Sequence, residues 1–168
     1  MAASYIELET LSPNTTPGRN ERLGVVFHHT VLSFAETIEF MSKPENEVSY
    51  HCVIDTNGTR CRLVLDDAIA HHAGVSIFRE RKGCNWFMLG CAFAGDTNAD
   101  PLTDDQLASM LEWLAPRWTR YHWSIGWMTD HRQVAPDRKD DLNPIEWARV
   151  VDAIRKTFPD PQDTVPVP

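Results

Sequence analysis

The sequence predicts a single-domain α/β fold, with a central mixed β-sheet flanked by about three helices, and three observations carry that prediction. Apolar, strand-like blocks alternate with capped helical segments along the chain. One block closes on Asn57-Gly58, the strongest short-range hairpin signal. A chain of 168 residues with 42% hydrophobic content and six tryptophans can bury one core, and it shows no internal repeat.

The elements follow in order. Residues 11–22 are rich in Pro, Asn, Thr and Gly and are expected to be loop, so residues 1–22 form an N-terminal extension. Leu23 to His28 is a short buried strand rich in β-formers. Ser33 and Glu36 make a capping box that opens a helix, and Pro44 ends it. Ser49 to Asp55 and Thr59 to Leu65 are the two arms of the hairpin, and Trp86 to Ala94 is a further strand. Thr103 and Gln106 cap a second helix, with Leu107, Met110, Leu111 and Leu114 at helical spacing. Trp123 to Thr129 reads as a strand running into Asp130-His131. Asn143-Pro144 opens a last helix whose stripe is Trp147, Val150, Val151 and Ile154. The domain proper is therefore 23–157, and 158–168 is a proline-rich tail expected to fray.

The composition excludes several functions. A net charge of −8 argues against a nucleic-acid partner, because phosphate binding needs clustered Lys and Arg. No apolar run approaches the ~20 residues that span a bilayer, so no membrane insertion is expected. The N-terminus lacks a basic region followed by an apolar one, so a cytoplasmic product is expected, acting there or released by a partner's membrane hole. A monomer is expected. Cys52, Cys61, Cys84 and Cys91 lack paired C-x-x-C spacing and read as buried thiols.

The chemistry lies in the histidines. Of seven, His28 and His131 fall at predicted strand ends, where a sheet presents side chains to a crevice. A catalytic zinc takes three protein ligands and leaves one position open. Two imidazoles and a carboxylate would serve, but spacing alone does not choose among the candidates, and a strand-end histidine is more often a hydrogen-bonded structural residue.

Five blocks, read together, go further. Val25-Val26-Phe27-His28-His29-Thr30, Ser49-Tyr50-His51-Cys52-Val53-Ile54-Asp55 with Asn57-Gly58-Thr59, Ile69-Ala70-His71-His72-Ala73-Gly74, Asn85-Trp86-Phe87-Met88-Leu89-Gly90, and Asp130-His131 through Arg138-Lys139-Asp140-Asp141-Leu142-Asn143-Pro144 occur in that order. The set resembles the zinc-dependent N-acetylmuramoyl-L-alanine amidase superfamily, shared by amidase-type phage lysozymes, peptidoglycan-recognition proteins and the bacterial anhydromuropeptide amidase. The resemblance implies a peptidoglycan-recognition-protein-like fold and a Zn2+ hydrolase acting on peptidoglycan or muropeptides.

The family places a lysine eight residues after its second zinc histidine and the third ligand two residues later. From His131 those steps reach Lys139 and Asp141, with Asp140 one step short. The resemblance thus implies zinc on His28, His131 and Asp141, with Lys139 and Tyr50 catalytic. It places His72, His29 and Asn85 toward the substrate, with His29 and His51 alternatively bracing the site. One departure stands out: Ala92 occupies the place where the recycling branch carries a glutamate general base. Intact murein and anhydromuropeptides both remain open as substrates, with a slight lean to a cell-wall hydrolase. The competing reading is a peptidoglycan-binding module that does not cut.

Overall fold

The computed structural model describes residues 4–160. Six strands form the main sheet: β1 (Glu7–Glu9), β3 (Gly24–His29), β4 (Cys52–Ile54), β5 (Arg60–Arg62), β9 (Met88–Phe93) and β10 (Met128–Asp130). Their order is β1-β5-β4-β9-β3-β10, and only the β4–β5 hairpin is antiparallel. Short two-stranded ribbons pair β2 (Thr15–Thr16) with β6 (Ile69–Ala70) and β7 (Ile77–Phe78) with β8 (Arg81–Lys82).

The helices divide between the two faces. On one face, α2 (Asp104–Arg120) and α4 (Pro144–Thr157) bury Met110, Trp113, Leu114, Val150 and Ile154 against Val25, Phe27, Ile54, Leu89 and Phe93. On the other, α1 (Phe34–Met41) packs Met41 with Val53, Cys61 and Ala92, while α3 (His131–Val134) packs Val134 with Val26 and Met88. Both predicted capping boxes form, each satisfying amides that the first helical turn leaves open. The four cysteines are buried and free. No helix among the described residues is long and apolar enough to cross a membrane.

Three expectations change. The segment 123–129 is mostly not strand: Ile125–Trp127 is a single 3-10 turn, and only Met128–Asp130 pairs. Gly126 sits in that run, where a glycine weakens pairing, and its carbonyl takes two hydrogen bonds from Arg79 instead. The N-terminal extension is partly sheet. Thr15–Thr16, expected as loop, is β2, and β1 pairs parallel to β5, its Glu7 accepting from the buried Arg60 guanidinium at 2.9 Å. Every residue of β1 is exposed, so no apolar alternation marks it. The tail from 161 onward, expected to fray, lies outside the described residues.

Candidate metal centre and substrate cleft

β3 carries His28 into the protein interior, and β10 runs beside it with Asp130 opposite Phe27. Asp130 ends β10 by capping α3, accepting from the Gln133 amide at 3.1 Å, and that turn brings His131 alongside His28. The loop before α4 then returns Asp141 to the pair. It is stitched down by the Arg132 amide donating to the Asp141 carbonyl (2.6 Å) and the Leu142 amide donating to Asp130 (3.3 Å). One nitrogen from each histidine and a carboxylate oxygen of Asp141 lie within 4.8 Å of one another, all three residues buried. Asp140 is exposed and accepts instead from the Asn98 side chain.

Hydrogen bonding dictates which atoms face inward. His72 Nε2 lies 3.1 Å from the Met88 carbonyl, which can only accept, so that nitrogen carries the proton. Burial and the neighbouring imidazoles hold His72 well below the usual histidine range, so it is neutral and its Nδ1 is an acceptor. His28 Nε2, 3.0 Å away, therefore donates to it. Burial, and then the neighbouring His131, push the His28 pKa down to about 4, which leaves its Nδ1 a bare lone pair. His131 spends its Nε2–H on the Ala73 carbonyl at 3.3 Å. The two Nδ1 atoms meet at 3.0 Å, with Asp141 oxygens 3.6 Å from His28 and 3.2 Å from His131. Burial opposes ionisation of Asp141, yet hydrogen bonding from the facing imidazoles when they carry a proton, His131 before His28, outweighs it and holds its carboxyl far below the usual range. The carboxylate and the two Nδ1 atoms are thus close enough to share one proton, or one cation, among them. Two imidazoles, one carboxylate and an open side are a donor set that suits a catalytic zinc.

The centre opens onto a cleft of about 460 Å³ whose walls include Tyr50, His72, Asn85, Arg138, Lys139 and Asp141. The Tyr50 ring packs 4.9 Å from that of His28, and burial followed by the Asp141 charge pushes its phenol up, so it stays protonated. Among the described residues, neither the Tyr50 hydroxyl nor the Lys139 ammonium has a hydrogen-bond or ion-pair partner.

The other residues expected at the substrate, His72, His29 and Asn85, also line the cleft, and each has partners within the protein. His72 is buried against His28. His29 points its ring at Thr97 (2.7 Å), while its backbone amide donates to Asp141 at 3.3 Å. The Asn85 side-chain oxygen braces the adjoining loop, accepting from the His72 and Ala73 amides at 3.1 and 2.8 Å. His51 holds the sheet by donating to the Ala68 carbonyl and accepting from the Gly90 amide. His71 bridges Thr16 and Glu47. Arg138, which belongs to the terminal block but is given no role by it, reaches back to the loop around Gly74. Ala92 is buried opposite His28 in the β3–β9 register.

Comparison with known proteins gives a consistent result. The 1,6-anhydro-N-acetylmuramyl-L-alanine amidase AmpD of Citrobacter freundii is 38% identical over 103 residues, 61% of this chain and 54% of that protein. The chain thus spans about half the length of the curated relatives it matches. A crystal structure of an AmpD derivative superposes with a TM-score of 0.76 at 24% identity, covering 90% of this chain and 95% of that one. E. coli AmiD, solved with anhydro-N-acetylmuramic acid-L-Ala-D-γ-Glu-L-Lys, gives 0.69 at 21% identity, covering 82% and 59%. The sequence profile of the N-acetylmuramoyl-L-alanine amidase family matches residues 19–144, and the chain belongs to that family.

Proposed function

We propose that the chain hydrolyses the amide between N-acetylmuramic acid and L-alanine in anhydromuropeptides, with zinc held by His28, His131 and Asp141. The observation that carries this reading is the convergence of two imidazole nitrogens and one carboxylate beside an open cleft. Bound there, zinc would supply a Lewis acid and lower the pKa of a water molecule to ~7.

The chain's own groups do the rest. His72 keeps His28 in the tautomer that points Nδ1 inward. Tyr50 offers a protonated hydroxyl to the scissile carbonyl, and Lys139 brings a cation beside the negative charge that develops there. Donors held ready for such charge are worth ~2.7–4 kcal/mol of barrier each. Asn85, by bracing the His72–Ala73 amides, shapes the wall against which the substrate lies.

The names of the curated relatives favour the anhydro form over intact murein. The buried Ala92, in the glutamate's place, favours the second reading, a binding module that does not cut. Mass spectrometry of the products from purified murein and from a soluble anhydromuropeptide, with and without chelator, separates them. Free stem peptide with an L-alanine amino end, lost on chelation and formed faster from the anhydromuropeptide, is the expected result. Bound zinc with no cleavage of either substrate would establish the binding module instead.

A further inference from the structure

Arg138 stands on the rim of the cleft, exposed, one residue before Lys139. Its Nη2 donates to two carbonyls at once, Ala73 at 3.0 Å and Val75 at 2.7 Å. Those carbonyls flank Gly74, whose φ of +57° turns both toward the guanidinium, and a Cβ there would come within 3.3 Å of Nη2. The Ala73 carbonyl is also the acceptor that fixes His131 Nε2–H. A carbonyl has two lone pairs, and here Arg138 and His131 take one each. The Ala73 amide, for its part, is held by Asn85. The two peptide groups that flank Ala73 are thus pinned from both sides, yet the turn beyond is open: Gly74 is exposed, and Val75 is 84% exposed.

We infer that Arg138 is a positioning residue for His131: by holding the 73–75 turn, it keeps the Ala73 carbonyl where His131 must donate, and so sets the inward tautomer and the metal affinity. The inference rests on the zinc reading above. It joins two segments that neither share an element nor lie near each other in sequence. It also makes the substrate loop and the metal centre parts of one hydrogen-bonded unit.

The test uses the full chain with Arg138→Met, which keeps the stem and removes the donors, and Arg138→Lys, whose ammonium can serve two carbonyls from one atom. The side chain is exposed, so both variants are expected to fold, which the unfolding midpoint of the metal-free protein checks. Zinc affinity is read by chelator competition. Loss of such an outer partner typically costs 10–100-fold, and an exposed one is expected at the low end: about tenfold for Met and clearly less for Lys. Nitrogen NMR of the metal-free protein gives a readout independent of zinc, in which His131 moves from the Nε2–H form toward a mixture in Arg138→Met. Unchanged affinity and tautomer in Arg138→Met overturn the inference, as does a loss that lysine does not lessen. Failure of the unmodified chain to bind zinc or to cleave would instead strike the functional reading, and the tautomer measurement would still judge Arg138.

Discussion

On one face of the sheet Val25, Phe27, Leu89, Cys91 and Phe93 meet the apolar sides of α2 and α4. On the other, His28 and Gly90 lie among imidazoles, flanked by Val26 and Ala92, which belong to two smaller apolar clusters. The first face is filled by large side chains. The second is kept narrow at Gly90 and Ala92, and a Cβ on Gly90 would fall 2.5 Å from His72 Cγ. One face carries the larger apolar core, while the other sets two smaller apolar clusters around a space for polar side chains that bring their own hydrogen bonds. Pleating lets six residues of one strand do both, because successive side chains point to opposite sides.

If that division is real, damage to each face should show in a different measurement. The largest effect is expected from Phe93→Ala, which empties the apolar face: about 3–5 kcal/mol of unfolding free energy should be lost in a urea titration. Zinc affinity should barely move, and a matching loss of metal would show that the faces are not separable. Next, Lys139→Ala should lower kcat about 100-fold, ~2.7 kcal/mol, at unchanged zinc content. An unaltered turnover would remove Lys139 from the site. Gly90→Ala should cost about 1–3 kcal/mol by overpacking and, unlike Phe93→Ala, should also weaken zinc binding through His72 and His28.

The smallest effect concerns pH. Burial holds the His51 imidazole down to about 4, against an ordinary value near 6.5. Above 6.5 the residue is neutral folded or unfolded and contributes no slope. Between 6.5 and 4 the unfolded chain takes a proton that the folded chain refuses, so stability falls as pH falls. One such proton corresponds to ~1.4 kcal/mol per pH unit. His51→Gln should flatten the acid limb of a stability–pH profile by about that slope, and an unchanged limb would show that His51 is not held neutral.

What could be read in the sequence follows the same division. The apolar face writes itself as β-branched runs and helical spacing, so β3, β9, α2 and α4 were legible with ends a few residues off. His28 and His131 were visible as strand ends, and Asp141 only through the family resemblance that sets its distance from His131. The partners of those groups were not legible. His72 meets His28 across 44 positions, and Arg138 meets Ala73 across 65, through contacts that leave no periodic trace. Nor does composition tell a histidine that faces substrate from one that orients a neighbour. Which ring nitrogen keeps its proton lies in the carbonyl that the fold sets beside it, as Met88 does for His72. β1 was missed because an all-exposed edge strand shows no burial pattern, and its pairing depends on Arg60.

The facing nitrogens of His28 and His131 have one more consequence, which concerns folding rather than catalysis. Drawing two imidazoles and a carboxylate out of water into one buried site lowers the stability of the chain that assembles them. A cation that binds only the assembled site returns that cost by mass action, about 4.1 kcal/mol at a free concentration 1,000 times its dissociation constant. If the site takes zinc as proposed, the melting temperature should rise with free metal. A sample stripped by chelator during purification should unfold earlier than one kept loaded, with no change in its covalent structure.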